Sequence, residues 1–475
     1  MGKYTAINIG PIISTLGMAR KPRELWAASY MFSHLMKCIY SEAKKKGYNI
    51  ISPAKPKEEK SGVGIYPDRI YIKGDAETKL LIENAVWAFY DDLHGKKERN
   101  SNNPDLNYFN VMSASCEADK DSKAIADLNQ KLDVLELCNL AADSDTAQTI
   151  YNIISKKVFS SLFELATGDD KFPIPELKVI ANAQREKHPE IEEKSHHRYF
   201  CVVQADGDKV GKTVSHKGLV NGKVLDISKE LVQFGLDATE LIKDFGGLPI
   251  YAGGDDLLFI APVVGKNNNH IFQLLDEIEN RAFKGVQDEV ERLRDEDGNF
   301  LKDKDDNIIK ASLSFGVSIS YYKYPLYEAL ESARNLLFGK AKNIPDKKAV
   351  AWSLRKHSGG TFDVAFSLKN EELKQQFANL IAATADGATV SAVAHKIRQE
   401  EALVDIVLQS GDTNRLDALF DEVLEFDSGK SDYFNAVKAI MPTLYKVIGK
   451  EQYAQTLYSL LRTAKFINGE DLHDE

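Results

Sequence analysis

Apolar and polar positions follow two rhythms along this chain, and the pair of rhythms comes round twice. Residues 4–9 (YTAINI) are largely apolar and predict a buried strand. Residues 25–46 repeat apolar positions at helical spacing and predict a long helix. Strands near 48–52 and 69–73 and a helix over 77–94 follow. The rhythm returns at 199–208 with the strand YFCVVQADGD, then a helix over 226–245 with Ile227, Leu231, Phe234, Ala238 and Leu241 on one face. Short apolar runs at 248–262, an amphipathic helix at 269–293, a β-branched strand at 311–322, a helix at 326–342 and a strand at 349–354 complete the second round. Strand, helix, two strands, helix, strand is the ferredoxin-like split unit, and the expected fold is α+β with two such βαββαβ units. Residues 96–193 are polar and helix-rich, and those beyond the Ser-Gly-Gly at 358–360 carry helical periodicity alone. The expected domains are therefore 1–95 (a degenerate N-terminal unit), 96–197 (helical), 198–360 (the second βαββαβ unit) and 361–475 (a C-terminal helical bundle).

Candidate chemistry gathers in the second unit. LPIYAGGDDLLFIAP (248–262) reads as a hairpin whose tip holds Gly253, Gly254, Asp255 and Asp256. Glycine there permits positive φ and close approach of a phosphate, while neighbouring carboxylates repel one another unless a cation lies between them. Taken alone, the string also fits a solvated surface turn. The strand ending in Asp206, Gly207 and Asp208 changes the weighting, because the split topology sets it beside the hairpin and lets Asp206 approach Asp255. Carboxylates converging on a sheet suit a pair of divalent cations and phosphoryl or nucleotidyl transfer, which needs little from a protein beyond positioning and positive charge. Lys340 and Lys342, Arg334, Lys209 and Lys212 offer that charge, although each also fits an ordinary solvated side chain.

Composition narrows the class further. The chain has 475 residues, 43% hydrophobic and 28% charged, as in a globular protein of several domains. No run approaches a membrane span, residues 1–6 lack a signal-peptide pattern, and a cytoplasmic location without membrane contact is expected. A net charge of −10 argues against a large independent nucleic-acid surface. Cys38, Cys116, Cys138 and Cys201 are scattered with no C-x-x-C pair, so reduced thiols and no zinc are expected. His196–His197 is expected at the surface. The acidic stretch at 294–310 fails the calcium-loop pattern and reads as a solvated hairpin inserted in the second unit.

AGGDD, ADGD-x-x-GK and the later SFGVSIS and YEALESARNLLFGKAKN resemble the palm domain shared by GGDEF-type nucleotide cyclases and the large polymerase/cyclase subunit of type III CRISPR effector complexes. INIGPIISTLGMARKPRELWAASYMFSHL (7–35), GIYPDRIYIKG (64–74) and FPIPELKVIA (172–181) resemble the Cmr-type (subtype III-B) members, and the likeness covers roughly residues 1–360. The resemblance implies two palm domains, with Asp206, Asp255 and Asp256 as catalytic metal ligands and the Gly207 carbonyl as an auxiliary one. It implies nucleotide contacts from Gly253, Gly254, Lys342 and Lys340, with Asp208 either a ligand or a supporting partner. Asp68 and Arg69 of the first palm are candidates to hold an acceptor nucleotide. The first palm strand begins near Tyr4 and the His473–Asp474 pair lies in a charged tail, so no histidine-aspartate nuclease activity is expected.

The resemblance implies an RNA-guided antiviral subunit that joins ATP through 3′–5′ bonds into cyclic oligoadenylate when target RNA binds. Mg²⁺ or Mn²⁺ would serve the two-metal site, and other Cmr-type subunits, guide CRISPR RNA and target RNA would be its partners. Three alternatives stay open. The same site could conjugate ATP to S-adenosylmethionine, the chain could be a GGDEF-like dinucleotide cyclase, or it could be a catalytically silent scaffold.

Overall fold

The computed structural model describes residues 1–57, 60–94, 108–137, 159–168, 174–345, 347–383, 387–423 and 431–469. Strands β1 (Gly2–Gly10), β2 (Asn49–Ser52), β3 (Arg69–Lys73) and β4 (Asn110–Ala118) form an antiparallel sheet in the order β2-β3-β1-β4. That order is the ferredoxin-like one. β4 is a strand of the first sheet within 96–197, the stretch expected to form a helical domain. Its sequence NVMSASCEA is small and polar and most of its positions are partly exposed, as an edge strand allows, so no apolar run betrays it.

Side chains alternate across β1. Tyr4 and Ala6 pack with Leu128 and Leu132 of the helix Asp121–Leu137, while Ile7 and Ile9 face the helix Pro22–Lys45 on the other side. Pro22–Lys45 is buried nearly all round, including Leu25, Trp26, Met31, Phe32 and Ile39. A helix that is apolar on every side lies inside a core. Here it is shared with Ile250, Leu258 and Ile260 of the second sheet, and the two palms have one continuous interior.

The second sheet holds β5 (Tyr199–Asp208), β6 (Leu248–Gly253), β7 (Asp256–Pro262), β8 (Ser312–Tyr321), β9 (Ala349–Arg355) and β10 (Thr361–Ser367), ordered β10-β9-β8-β5-β7-β6. β8-β5-β7-β6 is again the split unit, and β9 is added parallel to β8 through the helix Leu326–Gly339. That helix presses close enough on β8 for a methyl at Gly316 to meet its backbone at Leu337 N, 2.5 Å away. β10 is a second such strand: residues 361–475, expected to be helical, open with a strand antiparallel to β9. Phe366 of β10 and Phe377 of the helix Glu371–Ala382 pack on Trp352, with ring centroids 5.6 and 5.4 Å away. Trp352 Nε1 donates to Thr463 Oγ1 at 3.2 Å, tying the helix Lys450–Gly469 to the palm.

The palms are joined by main chain as well as by side chains. Ala252 N of β6 donates to Gly64 O at 2.9 Å, and the close approach leaves no room for a side chain at Gly64, whose Cβ would lie 2.8 Å from Ser33 Cβ. In the acidic insertion, isolated bridges Arg294–Phe300 and Lys302–Ile308 close a pair of small loops in place of the single expected hairpin. Asp295 and Asp303 each accept backbone N–H groups of their own loop, which accounts for the acidic repeat.

His196 and His197, expected at the surface, are buried against the palm; His197 Nε2 lies 2.7 Å from Gln184 Oε1. Burial lowers both pKa values, His196 to about 3 and His197 to about 4, and keeps the rings neutral. Cys138 and His473–Asp474 lie outside the described residues. Among the described residues no helix is long and apolar enough to cross a membrane.

Candidate active site between the palms

The acidic centre forms where strand ends meet. β5 and β7 are antiparallel, with Ala205 opposite Leu257, so Asp206 and Asp256 emerge at the same end of the sheet. Gly253 pairs with Asp256 across a two-residue turn whose first position, Gly254, has φ +66°. A two-residue hairpin of this kind takes glycine at that position. The turn folds Asp255 back onto β5, with its carboxylate against the Cα of Gly207: a Cβ there would lie 2.5 Å from Asp255 Oδ2. The far side of the turn abuts the first palm, Gly254 facing Pro67.

Crowding shows in the electrostatics. Burial, then repulsion from Asp206, pushes the Asp255 carboxyl up to about 7. Asp256 is pushed well up by desolvation among its neighbours and then by Asp255, Asp206 and Asp68. Asp68 is itself raised by burial, with Glu136 adding to the effect and Arg69 opposing it. The first palm thus sends a carboxylate into the same neighbourhood.

Lys342 brings the opposing charge. Its Nζ donates to the main-chain oxygens of Asp206 and Gly207 at 2.8 and 3.0 Å and to Asp208 Oδ1 at 2.8 Å, and it forms an ion pair with the Asp206 carboxylate. Asp208 is buried, and its Oδ2 accepts from Ser312 Oγ, Ser314 Oγ and Lys348 N at 3.0, 2.8 and 2.9 Å. Its oxygens are committed to protein donors, so its place is to anchor Lys342.

The remaining candidates divide. Lys340 is not brought to the centre; its Nζ pairs with Asp363 of β10 at 2.8 Å. Lys209 reaches Asp303 of the insertion at 3.1 Å. Arg69 is held by Asn129, Asp133 and Glu136 at 2.8–3.0 Å, so its charge is already matched. Arg334 lines the cleft between the palms.

That cleft, of about 640 Å³, runs from the acidic tip between Pro11–Leu16, Tyr66, Asp68 and Glu136 of the first palm and Gln204, Tyr251 and Arg334 of the second. Of its first-palm wall, Asp68 was already a candidate from the sequence, whereas Glu136 was not. Glu136 lies on a helix read as part of a separate domain, and Tyr251 read as one more apolar strand residue. Hard carboxylate oxygens crowded without enough positive charge suit Mg²⁺ or Mn²⁺. Asp206, Asp255 and Asp256 are therefore a donor set that fits divalent cations.

Fold and site together define a twin-palm protein with an acidic centre at the boundary of its palms. Residues 199–351 match the model of the Cas10/Cmr2 second palm domain, and residues 4–72 match that of the N-terminal region of the CRISPR-associated protein Cmr2. Each palm thus carries a match to a Cmr2-type protein. The chain is 33% identical over 207 residues to the CRISPR system Cmr subunit Cmr2 of Pyrococcus furiosus, a match covering 38% of this chain and 21% of that relative. Among solved structures, the fold is similar to a chain of a type III-B Cmr-beta complex bound to cognate target RNA, with TM-score 0.56, 12% identity and coverage of 85% of this chain and 76% of that one. It is also similar to a chain of a Csm1–Csm4 cassette in complex with one ATP, with TM-score 0.51, 12% identity and coverage of 98% and 70%.

Proposed function

We propose that the chain is the nucleotidyltransferase subunit of a type III-B CRISPR effector complex, and that it makes an adenylate second messenger, cyclic oligoadenylate, from ATP when target RNA is bound. The observation that carries this reading is the gathering of Asp206, Asp255 and Asp256 with Lys342 at the ends of β5 and β7, where Asp256 lines the inter-palm cleft. Asp206, Asp255 and Asp256 would hold the divalent cations, which when bound lower the pKa of an attacking 3′-hydroxyl and neutralise the triphosphate and its leaving pyrophosphate. Lys342, held by Asp208, Asp206 and the β5 main chain, fixes a positive charge at the end of β5 near the phosphates. The Gly253–Gly254 backbone lets a phosphate approach, and Arg334 adds charge along the cleft wall. The first palm supplies the surface that holds the acceptor nucleotide, and other Cmr-type subunits with guide and target RNA complete the assembly.

A second reading keeps this centre and changes the acceptor to S-adenosylmethionine. Its support is the lining of the cleft: Asp68 and Glu136, the latter ion-paired with Arg69 behind the wall, are carboxylates, and Arg334 is the only basic side chain among the described lining residues. A sulfonium cation is better matched to that wall than a further triphosphate. The test is the mass of the product formed by the assembled, target-bound complex from labelled ATP, with and without S-adenosylmethionine, and from GTP. Rings of adenylate support the first reading and a conjugate the second. GTP consumed without RNA would point to a dinucleotide cyclase, and no product under any condition to a scaffold.

A further inference from the structure

The helices that cover the first sheet carry a side-chain group unrelated to the acidic centre. His34 and Cys38 stand one turn apart on Pro22–Lys45, both buried, and Asp92 faces them from the last turn of the helix Thr78–His94. His34 Nε2 lies 3.0 Å from Asp92 Oδ2, and Cys38 Sγ lies 4.0 Å from that nitrogen and 3.9 Å from that oxygen. Ligands of a tetrahedral zinc ion, at about 2.0–2.3 Å from the metal, stand about 3.3–3.8 Å from each other. Small side-chain movements therefore bring all three atoms round one ion.

The group is poorly satisfied by protein partners alone. Among the described residues, His34 Nδ1 is buried without a hydrogen-bond partner, and the Cys38 thiol has only its long contacts to His34 and Asp92. Burial, with the Asp92 carboxylate adding to it, pushes that thiol up to about 12, which rules out a free thiolate nucleophile. Coordination reverses this, since a bound metal draws the thiol proton off to solvent. The Asp92 side chain is 45% exposed, which opens a path for an ion and leaves a wet fourth position. A mixed sulfur, nitrogen and oxygen donor set selects zinc over magnesium.

We propose that His34 Nε2, Cys38 Sγ and Asp92 Oδ2 form a zinc site, completed by water, that clamps the two helices of the first palm to one another. No C-x-x-C spacing announces it, because it uses a single cysteine. Its trace in the sequence is a histidine and a cysteine at i and i+4 of one helix, completed by a residue from another.

The full chain, titrated with Co²⁺ as a spectroscopic substitute for zinc, tests the site. A tetrahedral d–d spectrum with a thiolate-to-cobalt charge-transfer band is expected, displaced by stoichiometric Zn²⁺, and zinc should raise the melting temperature. Cys38→Ser should abolish the charge-transfer band. Asp92→Asn, at the exposed edge where folding is not at stake, should weaken zinc binding at least about tenfold in a chelator competition. A cobalt spectrum without a thiolate band, or a band that survives Cys38→Ser, would overturn the site, as would Asp92→Asn binding zinc as tightly as the parent.

Discussion

Lys342 Nζ lies 2.8 Å from Oδ1 of Asp208, a carboxylate only 2% exposed, and this pair fixes where positive charge stands at the end of β5. Because Asp208 also accepts from Ser312, Ser314 and Lys348, its geometry is held by β8 and by the start of β9. The acidic centre therefore depends on strands that contribute no ligand to it.

Asp208→Asn should separate positioning from metal binding. It removes a buried charge and leaves Lys342 with less to hold it, so stability should fall by about 1–3 kcal/mol. Product formation should drop while Mn²⁺ affinity in the presence of ATP stays within about threefold, a change of less than 1 kcal/mol. Thermal melting and calorimetric titration read the two effects, and loss of Mn²⁺ binding would make Asp208 a ligand.

Asp255→Ala with Asp256→Ala should abolish the nucleotide product, by at least about 1,000-fold given several kcal/mol of metal-assisted charge stabilisation. Assembly with partner subunits should survive. Removing carboxylates that repel one another should leave the metal-free melting temperature unchanged or higher, opposite in sign to the effect on activity.

The pH dependence follows from the raised carboxyls. Asp255 titrates near 7 in the folded chain against an ordinary value of 3.8, so the folded state binds more protons than the unfolded one through that window. Stability in the presence of chelator should therefore be greatest at low pH and decline as pH rises from about 4 to about 7. Asp255→Asn should flatten that decline, and saturating Mn²⁺ should reverse it, because the cation replaces the protons. Melting curves at pH 5 and pH 7.5 decide this, and an unchanged slope in Asp255→Asn would count against the crowded-carboxylate account.

A pair of glycines should respond differently to alanine. At Gly207 the added methyl would meet Asp255, its Oδ2 at 2.5 Å and its Cβ at 2.6 Å. Gly207→Ala should lose product, since Asp255 is pushed off β5, and lose some stability as well, because the 253–256 turn must shift with it. At Gly316 the methyl would meet the backbone of the helix Leu326–Gly339, which cannot step aside, and Gly316→Ala should cost about 1–3 kcal/mol. Circular dichroism melts beside product assays give both readings.

Glu136→Gln tests the acidic wall of the cleft. If a cation binds there, the substitution should raise the KM for S-adenosylmethionine by about tenfold, the scale of a lost charge-assisted contact, and leave ATP use intact. If a nucleotide triphosphate binds there instead, the same change should lower its KM.

Residues 199–262 alone announced the second palm: a strand ending in Asp206, a helix, and a hairpin with Asp255–Asp256 at its tip. Local physics was enough, because period, turn chemistry and strand order are written in neighbouring residues. β4 and β10 left weaker traces, since an edge strand and a strand leading into helices need no continuous apolar run. Three further features depended on tertiary packing. It paired Lys340 with Asp363 away from the centre, turned Asp208 into the anchor of Lys342, and carried Glu136 to the wall of the cleft beside Asp68. Spacing along a chain cannot report these contacts, because they join residues far apart in sequence whose burial and charge matter only once two palms share an interior.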